Sequence, residues 1–201
     1  LRGKESAKEA KYVRELCKKL GVKCISKKID IKKVSDKKKS FEENAREKRY
    51  GFFIDTANKE NCNVIATGHT LNDQVETVLM RVIMGTTLKS LCGVPPVRKQ
   101  KDKLIIRPLI KLDRESIEYF LKEKKVEYVT DSSNKDTSFL RNKIRLEVLP
   151  YLGKINPQIY RTLSNFSEDI TEEVEFFQGY KEKIVKNIIL GRSKGEISIK
   201  I

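Results

Sequence analysis

The chain has 201 residues, of which 43 are Lys or Arg and 28 are Asp or Glu, giving a formal charge of +15. This length is enough for one domain with a sizeable core, or for one domain and part of another. Basic charge spread along the whole chain favours a polyanionic partner such as RNA or DNA, although a lysine-rich surface that only confers solubility fits the composition equally well.

Cysteine spacing and hydropathy argue against several other classes of protein. The four cysteines form no CxxC pair and the chain has one histidine, so neither a zinc site nor an iron–sulfur cluster is expected. No apolar run approaches the roughly 18 residues of a membrane span. We therefore expect a cytoplasmic protein with reduced thiols and no membrane partner.

The first half of the sequence alternates between helical and strand patterns. Amphipathic spacing predicts helices at about residues 5–20, 41–58 and 71–84. Short apolar runs at residues 22–31 and 61–68 predict strands between them. This alternation predicts an α/β fold, a parallel sheet with flanking helices, whose ligand site lies at the carboxyl ends of the strands.

The next part of the chain is richer in turns. Residues 93–103 are predicted to form a basic loop, and residues 104–110 a strand that ends near Pro108. Asp113 can then cap a helix that continues to about Lys125.

The last third is predicted to be mostly helical. A polar loop at residues 129–138 leads into helical periodicity, which Pro150 is expected to interrupt. Beyond Gly153 we expect a helical segment, followed by the start of a strand in the terminal residues GEISIKI.

The segment IATGHTLNDQVET, residues 65–77, allows two interpretations. Thr70 and Asp73 have the spacing of a capping box, and acids in a first helical turn oppose the helix dipole, so they need no catalytic purpose. At 100° per residue, however, Asp73 and Glu76 lie about 60° apart and beside the apolar stripe, so both carboxylates can face one cleft. His69 lies at the same strand end and can donate to a phosphate oxygen.

Two pairs of arginines also allow either a phosphate-binding role or an ordinary structural role on a helix. Arg46 and Arg49 share a helix face and can bind phosphates, but Glu42 and Glu43 are alternative ion-pair partners for Arg46. In RNKIR, the arginines at positions 141 and 145 lie four apart, and arginine forks bind phosphates bidentately, although this spacing is also common on ordinary helices.

The order of four segments adds a more specific indication. SFEENAREKRY, IATGHTLNDQVETVL, IIRPLIKLDRESIEYF and TDSSNKDTSFLRNKIRLEVLPYL together resemble the tRNA(Ile)-lysidine synthetase family over roughly residues 1–152. The resemblance implies a PP-loop (N-type ATP pyrophosphatase) catalytic domain at residues 1–152, with an adenine-nucleotide α-hydrolase-like, Rossmann-like fold. Residues 153–201 would then be a helical linker or the start of a tRNA-contacting domain.

The same resemblance implies an ATP-dependent ligase. In that family, ATP adenylates the C2 oxygen of the wobble cytidine of the isoleucine tRNA with a CAU anticodon, and pyrophosphate leaves. The ε-amino group of free L-lysine then displaces AMP to form lysidine. The implied cofactors are ATP and Mg²⁺, the implied partners are this tRNA and L-lysine, and a homodimer is compatible with the resemblance.

The resemblance also distributes roles among the residues of this sequence. Catalytic roles, with Mg²⁺ near the two carboxylates, fall to His69, Asp73 and Glu76. Substrate or phosphate binding falls to Arg46, Arg49 and Arg107. Contact with tRNA falls to Arg141, Asn142 and Arg145.

The sequence departs from the family in ways that leave alternatives open. No two of its glycines are adjacent, although the family's phosphate loop needs a double glycine, so we expect a fragment without that loop that is inactive alone. Thr70 and Asn72 stand where the family usually has a second histidine and an acid. One alternative is a tRNA thiolase of the same superfamily, of the 2-thiocytidine type, whose CxxC pairs are missing here. The other is a non-catalytic basic RNA-binding domain.

Overall fold

The computed structural model describes residues 3–31, 36, 38–129, 137, 139–193 and 196–199. The chain divides into two compact units. We call them the sheet unit, from residues 1–67, 97–106 and 127–130, and the helical unit, from residues 68–96, 107–126 and 131–201. Among the described residues, no helix combines the length and the apolar character needed to cross a bilayer.

The sheet unit contains two helices and three strands. They are α1 (Gly3–Lys19), α2 (Phe41–Lys59), β1 (Val64–Ala66), β2 (Val97–Gln100) and β3 (Lys103–Ile106). The strand order is β1-β3-β2, with β3 parallel to β1 and antiparallel to β2. The middle strand therefore provides the most deeply buried strand residue, Ile105.

Helix α2 packs against β1 and begins with a complete capping box. The Ser40 hydroxyl accepts from the Glu43 backbone N–H, and the Glu43 carboxylate accepts from the Ser40 backbone N–H. These bonds satisfy two of the donors that a helix N-terminus leaves without an intrahelical partner. The buried face of the helix consists of Tyr50, Ile54 and Ala57 together with Asn44.

The predicted α/β class is confirmed, but the sheet is mixed rather than parallel. The prediction of a loop at residues 93–103 was wrong for its second half, which forms β2 and the hairpin turn to β3. The turn is tight because Lys101 takes a positive φ of 55°. A polar strand such as VRKQ gives no hydrophobic signal, since only a buried face produces an apolar alternation.

Two further strand predictions need correction. Residues 22–31 take part in none of the strand pairings of the described chain, and Val22 and Ile25 are exposed. An apolar, β-branched composition does not make a strand without a neighbour to complete its hydrogen bonds. The strand predicted at residues 104–110 ends at Ile106, before Pro108, which has no N–H to donate to a ladder.

The helical unit follows the predicted helices closely at first. It contains α3 (Leu71–Met84), α4 (Leu88–Leu91) and α5 (Arg114–Glu123). Asp113 caps α5 as predicted, because its carboxylate accepts from the Ser116 backbone N–H at 2.7 Å. The predicted polar loop falls mainly on residues 130–136, which lie outside the described residues, as do residues 32–35, in the segment before α2.

The rest of the helical unit is a run of helical turns up to Ile155, a long helix that begins at Ile159, and then a hairpin. Its elements are α6 (Leu140–Lys143), a π turn (Ile144–Val148), α7 (Leu149–Ile155), α8 (Ile159–Ile188), β4 (Ile189–Ser193) and β5 (Glu196–Ile199). The predicted terminal strand exists as β5, and it pairs antiparallel with β4 in a separate two-stranded sheet. A domain boundary at position 152 stays a prediction, and α7 continues across that position.

Pro150 does not interrupt the helix, contrary to the sequence prediction. The turn before it widens to a π turn, in which the Leu149 N–H donates to the Ile144 carbonyl. Pro150 then lies in the first turn of α7, where a missing N–H is tolerated.

The core of the helical unit joins α3 to the run around the π turn. Val75, Ile144 and Leu149 are fully buried, and Leu79 and Tyr160 are among the partly buried side chains that pack against them. The apolar stripe predicted for α3 is buried only in its first half, since Val82 and Ile83 are exposed. The first turns of α3 are therefore the part that the core fixes in place.

Gln74, on α3, holds the loop that follows α4. Its side-chain amide donates to the Ser167 hydroxyl at 2.7 Å and to the Cys92 carbonyl at 3.2 Å, and its side-chain oxygen accepts from the Val94 N–H at 2.6 Å. Gly93 lies directly against this side chain with a φ of 69°. A Cβ at position 93 would lie 2.4 Å from Gln74 Nε2.

Gly93→Ala is therefore expected to reduce the free energy of unfolding by about 2–3 kcal/mol in a denaturant titration, from crowding and from the positive φ. Gly85→Ala is a matched control, because Gly85 has a φ of 72° but nothing within 4 Å of an added Cβ. We expect Gly85→Ala to show only the conformational cost. Equal losses in the two variants would contradict the contact between Gly93 and Gln74.

Candidate active site

The first turn of α3 carries Asp73, whose carboxylate joins the helix cap to an arginine. Asp73 Oδ2 accepts from the Thr70 backbone N–H at 2.9 Å and from the Thr70 hydroxyl at 3.1 Å. Its other oxygen, Oδ1, accepts from Arg141 Nη2 at 2.8 Å. The predicted capping contact is confirmed, and the same carboxylate belongs to a larger charged cluster.

Glu76 lies one turn further along α3 and is almost completely buried, with 1% of its surface exposed. Arg145 Nε donates to Oε1 at 2.5 Å, while Arg141 Nε and Arg145 Nη2 donate to Oε2 at 2.8 and 2.9 Å. The helical wheel predicted a carboxylate beside the apolar stripe. The carboxylate is buried instead, because the two arginines cover it.

Asp73, Glu76, Arg141 and Arg145 form what we call the acid–arginine cluster. Two carboxylates face two guanidinium groups, so the formal charges cancel, as buried charges require. The hydrogen bonds to Glu76, followed by the negative charges of Glu76 and Asp73, raise the pKa of Arg145 above its usual value. All four residues were candidates from the sequence analysis, in which the family resemblance gave the acids a catalytic role and the arginines a role in tRNA contact.

Two polar residues that the sequence interpretation did not assign adjoin this cluster. Tyr160, from α8, has a raised pKa, because burial and then the charge of Glu76 disfavour its ionised form. The Asn72 side chain hydrogen-bonds to Tyr160, and Asn72 Oδ1 accepts from the Arg114 backbone N–H at 2.9 Å. Asn72 therefore connects the start of α3 to α5 and α8. No local sequence pattern indicates these contacts.

The other predicted residues of the helical unit have different surroundings. His69 is half-buried in the segment between β1 and α3, and Asn142 is half-buried on α6 beside Arg141. Arg107 is 3% exposed, and its Nη1 donates to the Pro95 carbonyl at 2.5 Å. Its backbone N–H donates to the Pro96 carbonyl, so Arg107 holds the loop before β2. A phosphate-binding role for Arg107 stays a prediction.

Arg46 and Arg49 belong to the sheet unit, on α2. The Arg46 guanidinium lies over the ring of Tyr50, 5.0 Å from its centroid, and Arg98 from β2 lies 5.4 Å from the same centroid. Arg49 is exposed. Arg98 was not predicted as a functional residue, because it lies in the segment interpreted as a loop.

The acid–arginine cluster does not have the character of a metal site. Magnesium needs carboxylate or carbonyl oxygens that are open toward the ion. Asp73 and Glu76 instead use every carboxylate oxygen to accept N–H or O–H groups. Within the described part of the chain, no group of three or more His, Cys, Asp or Glu residues could hold a metal ion.

The cluster can receive an ammonium group by exchange of partners, because an ammonium donates hydrogen bonds to a carboxylate as a guanidinium does. Asp73 retains 24% exposure of its side chain, whereas Glu76 retains 1%. An ammonium group that reaches Asp73 can replace Arg141 there, because Arg141 keeps its second bond, to Glu76. The two acids therefore differ: the carboxylate of Asp73 is accessible, whereas that of Glu76 is buried and holds both arginines in place.

Comparison with known proteins gives the class to which this fold and site belong. A family model described as a PP-loop domain matches residues 1–152. The chain therefore belongs to the PP-loop domain family.

Curated relatives narrow the similarity further. The chain is 39% identical over 185 residues to the tRNA(Ile)-lysidine synthase of Clostridium perfringens, covering 91% of this chain and 39% of that protein. It is 37% identical over 190 residues to the tRNA(Ile)-lysidine synthase of Persephonella marina, covering 94% of this chain and 41% of that protein. The resemblance predicted from the motifs is confirmed, and the chain spans about two fifths of the length of these relatives.

Among solved structures, the U34-tRNA thiolase NcsA from Methanococcus maripaludis, with its [4Fe-4S] cluster, has a similar fold. The TM-score is 0.64 at 18% sequence identity, over 86% of this chain and 58% of that chain. At this identity the likeness concerns the fold alone, and it confirms the predicted adenine-nucleotide α-hydrolase-like architecture.

Proposed function

We propose that this chain is part of a tRNA(Ile)-lysidine synthase. The protein uses ATP to adenylate the C2 oxygen of the wobble cytidine in the isoleucine tRNA with a CAU anticodon, and it joins L-lysine to that carbon. The observation that carries the proposal is the acid–arginine cluster at the start of α3, in a chain whose relatives bear that name.

In the proposed reaction, the C2 oxygen attacks the α-phosphorus of ATP and pyrophosphate leaves. The lysine ε-amino group then attacks C2, the bond from C2 to the adenylated oxygen breaks, and AMP departs with that oxygen. The ε-ammonium must first lose one proton to become a nucleophile, and the new C–N bond leaves a second proton on nitrogen. Both protons go to a base or to water. The protein therefore has to bind a lysine, stabilise phosphates and position an RNA base.

Asp73 is the residue we assign to the lysine. It is the more accessible of the two acids, and a carboxylate attracts an ammonium group and accepts its hydrogen bonds. Glu76 is assigned a positioning role, because its three contacts with Arg141 and Arg145 keep both guanidinium groups in place. Direct tRNA contacts of Arg141, Asn142 and Arg145, and a catalytic role for His69, belong to the proposal.

ATP fits these 201 residues only in part. Arginines suited to phosphate are present at positions 46, 49 and 107, but adjacent glycines, whose backbone N–H groups cradle phosphates, are absent from the sequence. We assign Mg²⁺ to the phosphates of ATP and not to Asp73 or Glu76, because hydrogen bonds occupy both carboxylates. A homodimer and a cytoplasmic location stay predictions from the sequence.

The proposal predicts that the complete reading frame containing these residues incorporates labelled L-lysine into a transcript of the isoleucine tRNA with a CAU anticodon. One AMP and one pyrophosphate should be released for each lysine incorporated. The matched control is the same transcript with uridine in place of the wobble cytidine, which should accept no lysine because uridine does not form lysidine.

Each other outcome would overturn the proposal in a different way. Sulfur incorporation without lysine incorporation would favour the tRNA thiolase alternative. Binding of the transcript without release of AMP, in the presence of ATP and lysine, would favour a non-catalytic RNA-binding domain.

A further inference from the structure

A second site lies in the sheet unit, away from every residue of the acid–arginine cluster in sequence. It is a pocket of about 280 Å³ lined by Arg46, Glu47, Tyr50, Arg98, Lys99 and Gln100. We call it the Tyr50 pocket. Residues 46–50 come from α2 and residues 98–100 from β2, so a helix and a strand of one unit form its walls.

Two guanidinium groups of the Tyr50 pocket contact the same aromatic ring. Arg46 lies 5.0 Å and Arg98 lies 5.4 Å from the centroid of the same tyrosine ring. A cation over an aromatic face is attracted to the ring, so the tyrosine stabilises both guanidinium groups beside the pocket. Arg98 Nη2 also donates to the Gln100 side chain, which fixes the orientation of its guanidinium plane.

Two donors of this pocket lack a protein partner. Tyr50 is 5% exposed, and its hydroxyl is buried without a hydrogen bond among the described residues. Arg98 Nε is buried and likewise has no acceptor in that part of the chain. Buried polar groups in folded proteins are nearly always paired, so unpaired donors beside two cations indicate a place for a ligand with acceptor oxygens.

The charge of the pocket selects an anion. Arg46, Arg98 and Lys99 bring three positive charges, and Glu47 is the one carboxylate of the lining. That carboxylate accepts from Lys39 Nζ at 2.5 Å, which offsets its charge. Paired guanidinium groups match the oxygens of a phosphate in geometry and charge.

From these contacts we propose that the Tyr50 pocket binds one backbone phosphodiester of an RNA. The pocket is open and small, near the lower end of the range of about 300–1,000 Å³ typical of ligand pockets, so it has room for one phosphate with its sugar. Side chains line it, without the glycine backbone cradle that binds the phosphates of a nucleotide. The inference rests on the proposed function only in that it takes the polyanion to be RNA.

The test measures binding of a fluorescein-labelled tRNA transcript to the 201-residue chain between 50 and 200 mM KCl. The pocket variant carries Arg46→Gln and Arg98→Gln together. Loss of one phosphate contact is expected to weaken binding on the order of tenfold and to reduce the slope of log K against log salt by about one. Lys48→Gln combined with Lys59→Gln is the matched control, since both lysines are exposed on the same helix, neither lines the pocket, and the pair removes the same two charges.

The control separates a pocket from a diffuse basic surface. Equal losses in the pocket variant and in the Lys48→Gln, Lys59→Gln control would overturn the proposal, and a slope change of about two would overturn a site for a single phosphate. Arg98→Lys retains the charge and keeps the test valid if the pocket variant is unstable. A bidentate site should weaken in Arg98→Lys, whereas unchanged affinity would contradict the inference.

Two further arms distinguish this inference from the proposed function. Because a phosphodiester carries no sequence information, an unrelated tRNA transcript should lose affinity to the same extent, whether or not the protein forms lysidine. If the pocket variant weakens binding of ATP and leaves binding of RNA unchanged, the pocket is a nucleotide site and the inference fails.

Discussion

Glu76→Gln is expected to lower the free energy of unfolding of this chain by about 3–5 kcal/mol, the loss typical of removing one partner from a buried ion pair. Glu76 is 1% exposed and accepts three hydrogen bonds from Arg141 and Arg145. Glutamine keeps the volume of the side chain but removes its charge, and its NH₂ group faces guanidinium donors. Denaturant titration followed by circular dichroism measures the loss.

The matched control for this prediction is Glu172→Gln, because Glu172 is exposed on α8 in the same unit. It should change stability by less than about 0.5 kcal/mol. Combining Glu76→Gln with Arg145→Gln leaves Asp73 and Arg141 as a balanced pair, so the double variant should lose about 0.5–3 kcal/mol less than the sum of the single losses. Additive losses would show that Glu76 and Arg145 have no energetic coupling and would contradict the ion-pair explanation.

Asp73→Asn is expected to raise the KM for lysine of the complete enzyme roughly 10- to 100-fold, the range that corresponds to about 1.5–3 kcal/mol for a hydrogen bond to a charged group. The reason is that Asp73 is the accessible carboxylate of the acid–arginine cluster. In the proposed reaction, adenylation of the tRNA precedes the attack by the amine, so release of pyrophosphate should change far less. Steady-state lysine incorporation and single-turnover pyrophosphate release separate the two steps.

The alternative for Asp73 is that it only caps α3. Asparagine can still accept from the Thr70 N–H, so a purely capping residue would tolerate the change with little effect on KM. Thr70→Val removes the hydroxyl that donates to Asp73 but keeps the carboxylate. An equal, small rise in KM in Asp73→Asn and Thr70→Val would assign Asp73 to the cap alone.

The sequence predicted the helices of this chain well because their signals are local. The predicted limits of α3, Leu71 and Met84, are those observed, and Asp113 caps α5 as expected. Helical periodicity and capping depend on residues three or four positions apart, which one sequence displays directly. The part of the fold that places Asp73 in a first helical turn was therefore predictable.

The contacts of the candidate site were not predictable in the same way. Its two acids and two arginines were all selected from the sequence, but the bonds between them join residues 65–69 positions apart. Nothing local indicates that an acid assigned to a substrate and an arginine assigned to tRNA will neutralise each other. That pairing depends on the tertiary packing that brings Ile144 and Leu149 against Val75.

The prediction of the strands was wrong in part, and the Tyr50 pocket was not predicted, for a related reason. A strand of four residues such as VRKQ has one exposed face and no apolar pattern, and its place in the sheet depends on β3. Since residues 97–100 were interpreted as a loop, Arg98 could not be expected beside Tyr50. Residues 22–31 have the composition of a strand, but they pair with no strand among the described residues.

The π turn before Pro150 has a consequence for how the gene can vary. A π turn contains one residue more than an α turn, so the helical residues on either side keep the faces they would have in a helix one residue shorter. A deletion of one codon there would preserve the positions of Arg141 and Leu149, but it would place Pro150 in a regular α turn, where its ring clashes with the carbonyl four residues earlier. Loss of that codon and loss of the proline are thus linked changes, and helix length and residue 150 should covary among homologues.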